Sequence, residues 1–320
     1  MKWMQAGVVM AVLTIGWTGA WAAGTAPRDS VELGADAYVT RGESSWEIIF
    51  AQDLFGEGRS ILEWEDLDAE LYGLHGVVRF GRLISVAAAY AEGDIEGGRN
   101  TDTDTISDAF LGLQDFVFSE SKADTDGDLE SLQGDVRFHL DAIEGFAGWP
   151  GQLYVLVGYQ TYDENLRDRN GVQTVVNEEA VNEPFDGLEN TFDFSWSAVR
   201  LGVGGTFELT ETLAVRAQAA ALLNVEYEGE GYWNLRDDFR DTPPSFIQEG
   251  DSGSGADLRA SLAWRALPHL LLEAGVWYVS WQVDEGFDRT FFDDGTSAES
   301  ILDSAESERA GGFLSGAVVF

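Results

Sequence analysis

Apolar and polar residues alternate along 213–228. Leu213, Val215, Ala217, Ala219, Ala221, Leu223, Val225 and Tyr227 share one face, while Arg216, Gln218, Asn224, Glu226 and Glu228 share the other. The same period of two runs through 256–265, where Leu258, Ala260, Leu262 and Trp264 oppose Asp257, Arg259, Ser261 and Arg265. It returns at the C-terminus, where Leu314, Val318 and the terminal Phe320 face one way. Successive side chains on a strand point to opposite faces, so each segment predicts a strand with one apolar side.

About ten such strands are predicted, at 31–52, 58–80, 83–95, 129–141, 152–175, 189–209, 213–230, 252–266, 270–290 and 307–320. Short connections near 80–82, 209–212 and 266–269, with a longer one at 141–151, alternate with long acidic ones at 92–128, 165–190, 230–252 and 284–306. Short turns at one rim and long loops at the other are the asymmetry of a bacterial outer-membrane barrel. The fold expected is all-β: a transmembrane, antiparallel, up-and-down β-barrel with short periplasmic turns and long extracellular loops. Several strands exceed the roughly 9–11 residues a tilted strand needs to cross a bilayer, so the sheet should continue beyond the membrane on the loop side. Phe192, Phe194 and Trp196 change phase before Val199, Leu201 and Val203, which a bulge explains. Ten aromatics, among them Trp64, Trp149, Trp264 and Tyr278, are candidates for interfacial belts.

The N-terminus supplies the route to that membrane. Lys2, an apolar run over 6–20 and the small residues of Ala20-Trp21-Ala22 read as a signal peptide over 1–22, leaving 23–320 as a single barrel domain. The expected location is the bacterial outer membrane. There are no cysteines, hence no disulfide framework and no thiolate metal site. The 57 acidic residues outnumber the 19 basic ones by enough to exclude nucleic acid as a partner, because phosphate binding needs clustered Lys and Arg. The 44% hydrophobic content argues against disorder. An acidic surface of this kind suits salt tolerance, or the gathering of divalent cations and basic peptides.

Asp124, Asp126 and Asp128 recur at every second position and are candidate Ca²⁺ ligands, since hard cations take six to eight oxygens. Glycine falls at the fourth place of that run rather than the sixth, and no glutamate stands at the twelfth. An EF-hand is therefore not supported, and a solvated acidic loop is the first reading.

Several stretches resemble the omptin family of outer-membrane proteases, across most of 31–320. Ser60-Ile61-Leu62-Glu63-Trp64 is similar to the segment opening the family's second strand. Glu47 falls where omptins carry a glutamate that helps bind a basic substrate side chain. The run from Gly97 to Asp104 resembles the stretch leading to the family's catalytic Asp-x-Asp pair, and Leu153 to Gln160 resembles its fifth strand. The resemblance implies a catalytic role for Asp102 and Asp104. As residues i and i+2 of a strand they share a face, and like charges that close raise one pKa.

An omptin site is completed by an Asp-His pair on the opposite wall. Here the corresponding stretch, 225–233, has no histidine, and Glu228 or Glu230 is the candidate to replace the missing base, giving an all-carboxylate site. Of the three histidines, His269 falls in a short turn, His139 near the short-turn end of its strand and His75 toward the middle of a long strand, none placed to meet Asp102 across a loop-side cleft. The expectation is therefore an omptin-like barrel without proteolytic activity, whose acidic loop-side cleft binds cations or cationic ligands. The alternatives are an endopeptidase cutting near basic residues, with Asp102, Asp104, Glu228 and Glu230 as its acids and Glu47 as a substrate-binding group, or a small porin. Outer-membrane lipid and lipopolysaccharide are the remaining expected partners.

Overall fold

A computed structural model describes residues 29–52, 56–108, 113–140 and 151–320. The signal segment, the 141–150 connection and Trp149 lie outside the described residues. Twelve strands follow one another: β1 (Asp29–Gln52), β2 (Gly56–Phe80), β3 (Ile84–Asp108), β4 (Leu113–His139), β5 (Gly151–Val176), β6 (Glu179–Pro184), β7 (Asn190–Glu208), β8 (Leu213–Tyr232), β9 (Phe246–Leu267), β10 (Leu270–Val283), β11 (Gly286–Phe291) and β12 (Ser297–Val319).

Every pairing is antiparallel, and β1 bonds to both β2 and β12, which closes the sheet. Closure leaves no strand edge in the wall. Ten strands form that wall. β11 carries on from β10 after Asp284 and Glu285 and bridges β9 to β12, while β6 hangs on β5 outside the main path.

The outer face near the short turns is apolar. Leu74, Val86, Leu132, Val157, Leu201, Val203, Leu262, Leu314 and Phe320 all stand exposed there. A continuous band of this kind would be insoluble in water and is what acyl chains solvate. Tyr72, Tyr159 and Trp264 join the outer face, whereas Trp64 and Trp196, counted as belt candidates, point inward and are buried.

The long acidic segment 92–128 is not a loop. β3 and β4 run through it as a hairpin reaching Asp108 and Leu113, and β9 and β12 likewise begin earlier than the alternation suggests. Strands of 25 residues climb roughly 85 Å of contour, more than twice what 9–11 residues cover, so most of the wall stands above the membrane.

Phase changes have a structural cause. The β7–β8 register slips between Ser197 and Val199, opposite Asn224 in its left-handed conformation (φ 51°). β7 itself keeps one phase past the slip: Phe192, Phe194, Trp196, Ala198 and Arg200 all face the lumen and Val199, Leu201 and Val203 face out, so the change expected from a bulge there is a switch in which face is apolar. On β8 the slip does break the single face expected of 213–228, because Leu222, Val225 and Tyr227 end up inside together.

The lumen is filled in two layers. Toward the turns it holds ion pairs. Arg200, fully buried, lies 2.9 Å from Asp135 and 2.6 Å from Asp257, and Arg216 reaches Glu32 and Glu273. A cavity of about 110 Å³ beside Arg216 and Arg137 is room for a few waters, not a channel. Higher up, Arg309 bonds to Tyr162 and Glu164, and above it an aromatic core of Trp64, Phe192, Phe194, Trp196, Trp281 and Phe246 takes over. Glu273, Trp277 and Trp281, which look mixed as one face of a strand, all face this one lumen, charged below and aromatic above.

Candidate carboxylate site at the barrel mouth

Leu62 and Trp64 on β2 are buried in the lumen, and register sets Asp102 opposite Leu62 and Asp104 opposite Ser60. Both aspartates therefore point inward, high on β3. A third carboxyl faces them from β5. Asp168 is 1% exposed, and its Oδ1 accepts hydrogen bonds from Thr125 Oγ1 (2.6 Å) and Trp64 Nε1 (3.2 Å). Trp64 thus buttresses the site from below while its ring packs edge-on against Phe192 (4.9 Å) and Phe194 (5.2 Å).

Burial in this low-dielectric mouth raises the pKa of all three acids. Burial raises Asp102 well above the usual carboxylate range, and the charge of Asp104 adds to the rise. Asp104 is raised by burial too, with a hydrogen bond from Ser60 opposing. Burial pushes Asp168 up to about 7, against the two hydrogen bonds it accepts. The Oδ1 of Asp102 is out of contact with solvent and has no hydrogen-bond partner.

One cation answers these acids. Arg236, on the β8–β9 connection, is close enough for its charge to lower both Asp102 and Asp104. The connection is firmly built. Trp233 packs edge-on against Phe192 at 5.4 Å, which seats it over the Trp64 platform. The side chain of Asn234 bonds to the backbone at Gly187 and Glu189. Arg236 itself forks onto Asp238, with Nε and Nη2 each 2.8 Å from a carboxylate oxygen, and lies over the Phe239 ring at 4.1 Å.

The other expected site residues lie elsewhere. Glu47 falls between Trp46, which is buried in the lumen, and Ile48, which packs against the core; it turns away from the lumen and is ion-paired to Arg59. Glu228 and Glu230 are exposed on the outer face of β8, because Tyr227 occupies the lumenal phase once the register has slipped. Asp124, Asp126 and Asp128 also face outward, on a strand rather than in a loop. Asn170 holds Asp124 (3.1 Å), Arg169 holds Asp126 (2.6 Å) and Asn165 holds Asp128 (2.8 Å). Among the described residues no three acidic or imidazole groups converge as a metal site. His75, His139 and His269 are all in the turn-side half, bonded to Asp36, Ser85 and the Val319 carbonyl respectively.

Asp168, Arg236 and a further buried acid, Asp288, were not anticipated. Asp288 accepts from Gln248 and Thr290 at 3.2 Å each, and burial lifts it to about 6. Asp168 was legible in principle: Tyr162, Glu164, Leu166 and Asp168 keep one strand phase, all lumenal.

A closed, ten-stranded antiparallel wall with an apolar exterior and a filled lumen is the fold of an outer-membrane β-barrel. The outer membrane protease OmpT from Escherichia coli is similar in structure, with a TM-score of 0.73 at 13% identity over 91% of this chain and 96% of that one. At that identity the likeness is one of fold. OprG from Pseudomonas aeruginosa (TM-score 0.30, 10% identity, 90% of this chain and 95% of that one) and the CymD monoaromatic hydrocarbon channel (0.28, 10%, 91% and 88%) align far more loosely. In sequence, no family model and no curated protein matches the chain.

Proposed function

We propose that this protein is an outer-membrane barrel whose extracellular mouth binds cationic ligands at Asp102, Asp104 and Asp168, without omptin-type proteolysis. The observation that carries the reading is the identity of the group facing the Asp102–Asp104 pair. The omptin resemblance implies an Asp-His couple on that wall; here the facing couple is Arg236–Asp238. A guanidinium stays protonated at any working pH and cannot take a proton from water. What remains is a set of inward carboxyls, one of them with an unpartnered oxygen, set beside aromatic rings. That combination suits an ammonium or guanidinium group, which brings its own hydrogens to the carboxyls.

The test is binding of a fluorophore-labelled Lys-Lys peptide to refolded protein in detergent. Asp102→Asn and Asp104→Asn should each weaken binding about tenfold, the loss of one charge-assisted contact of about 1.5 kcal/mol. The same peptide should remain uncut over hours. Cleavage abolished by Asp102→Ala would overturn the non-proteolytic part, and binding indifferent to both substitutions would overturn the site.

A further inference from the structure

Arg236 is a cation already tethered at the mouth of a site that attracts cations. Its backbone is fixed: Trp233 is seated on Phe192, Asn234 is bonded to the segment before β7, and Phe239 N–H bonds back to the Arg236 carbonyl at 3.0 Å. The guanidinium, however, is on a long flexible stem and half-exposed. Two acceptors compete for it. One is Asp238, two residues along, which holds it bidentately with Phe239 beneath. The other is the Asp102–Asp104 pair, which feels its charge yet makes no ion pair with it in this structure.

Resting on the cation-binding reading above, we infer that Asp238 is a latch. By parking Arg236 in a fork on its own loop, it keeps that guanidinium off Asp102 and Asp104 and leaves them open to an external organic cation. Asp238 is thus a positioning residue that acts through Arg236. Without the fork, the nearest strong acceptors for Arg236 are the two lumenal acids, and the chain's own arginine takes the ligand's place. Affinity at the mouth is then set by a balance within one loop.

The latch makes opposite-sign predictions for two neighbouring residues. With the same Lys-Lys probe at low salt, Asp238→Asn should weaken binding about fivefold, the scale of one half-exposed charge pair. Arg236→Gln should strengthen it by a similar factor. Asp238→Glu, which can rebuild the fork, should bind like the unmodified protein. Loss of the Asp238 charge alone would also weaken cation binding, so the deciding comparison is Asp238→Asn in the Arg236→Gln background. The latch requires no effect there, and an equal weakening in both backgrounds would overturn it. A readout without ligand is the ¹³C carboxyl NMR titration of Asp102 and Asp104. Asp238→Asn should move it to lower pH as Arg236 drops onto the pair, and no movement would also refute the latch. If Asp102→Asn leaves peptide binding intact, the binding site itself fails. If Asp102→Asn weakens binding while the Asp238 and Arg236 variants do not act as stated, only the latch fails.

Discussion

Asp168 shows how one buried carboxyl links the site to pH. Its folded-state pKa of about 7 stands above the ordinary 3.8, so the folded form binds a proton that the unfolded form has already released between those values. The contribution of Asp168 to stability is therefore greatest below about pH 4, falls as pH rises to about 7, and is level beyond. The full penalty is about 4 kcal/mol, from roughly three units at 1.36 kcal/mol each. Asp168→Asn keeps the Oδ1 that Thr125 and Trp64 bond to and removes the charge. Urea unfolding in detergent should show it more stable than the parent at pH 8 and nearly equal at pH 4; a constant difference across pH would refute the assignment. Ligand binding runs the other way, since an ionised Asp168 attracts cations, and affinity should rise through pH 7. At this scale the sequence was only half legible. Asp102 and Asp104 follow from the i, i+2 rule once a strand is granted. Arg236 did not, because 230–252 reads as a loop, where no phase tells which side chains meet; Asp168 lies in the predicted strand 152–175, but its phase alone does not say which carboxyls it faces across the lumen. Glu228 and Glu230 were placed wrongly because a left-handed Asn224 resets the phase before them, and nothing in 213–228 announces a bulge.

The strands show why the membrane-level half was readable and the upper half was not. Alternation is a contrast between lipid and lumen, and it vanishes where both sides are polar. On the upper part of β3 the lumenal face carries Asn100, Asp102 and Asp104, while the outer face carries Arg99, Thr101 and Thr103, bathed in water. No period-two signal survives there, so a strand resembles an acidic loop. Near the turns the contrast is strong, and Leu314 on β12 is 66% exposed on the outer face, about halfway up the apolar band. Leu314→Arg should destabilise the folded barrel in lipid by about 2–4 kcal/mol, as cations do on the lipid face near mid-depth. Ser315→Thr, one residue along and facing inward, should change it far less. Equal effects in vesicle refolding titrations would mean that this strand is turned the other way.

For the molecule as a whole, length and alternation gave a ten-stranded barrel, but not what fills it. The lumen contains Arg200 clamped between Asp135 and Asp257, with Arg309, Tyr162 and Glu164 above. Breaking such a layer would strand uncompensated charges, which favours a closed lumen. Purified protein in a planar bilayer should give no discrete conductance steps, and steady ohmic openings would favour the porin alternative. One consequence follows from how the ring is joined. Glu32 is paired with Val319, so the seam unites segments almost a full chain apart. Loop-closure entropy makes such a distant contact the slowest to form. Until the last hairpin arrives, two ragged strands are left unmated, each able to recruit a stranger's backbone. Anything that shielded those borders until the zipper shuts would keep the chain from joining its neighbours.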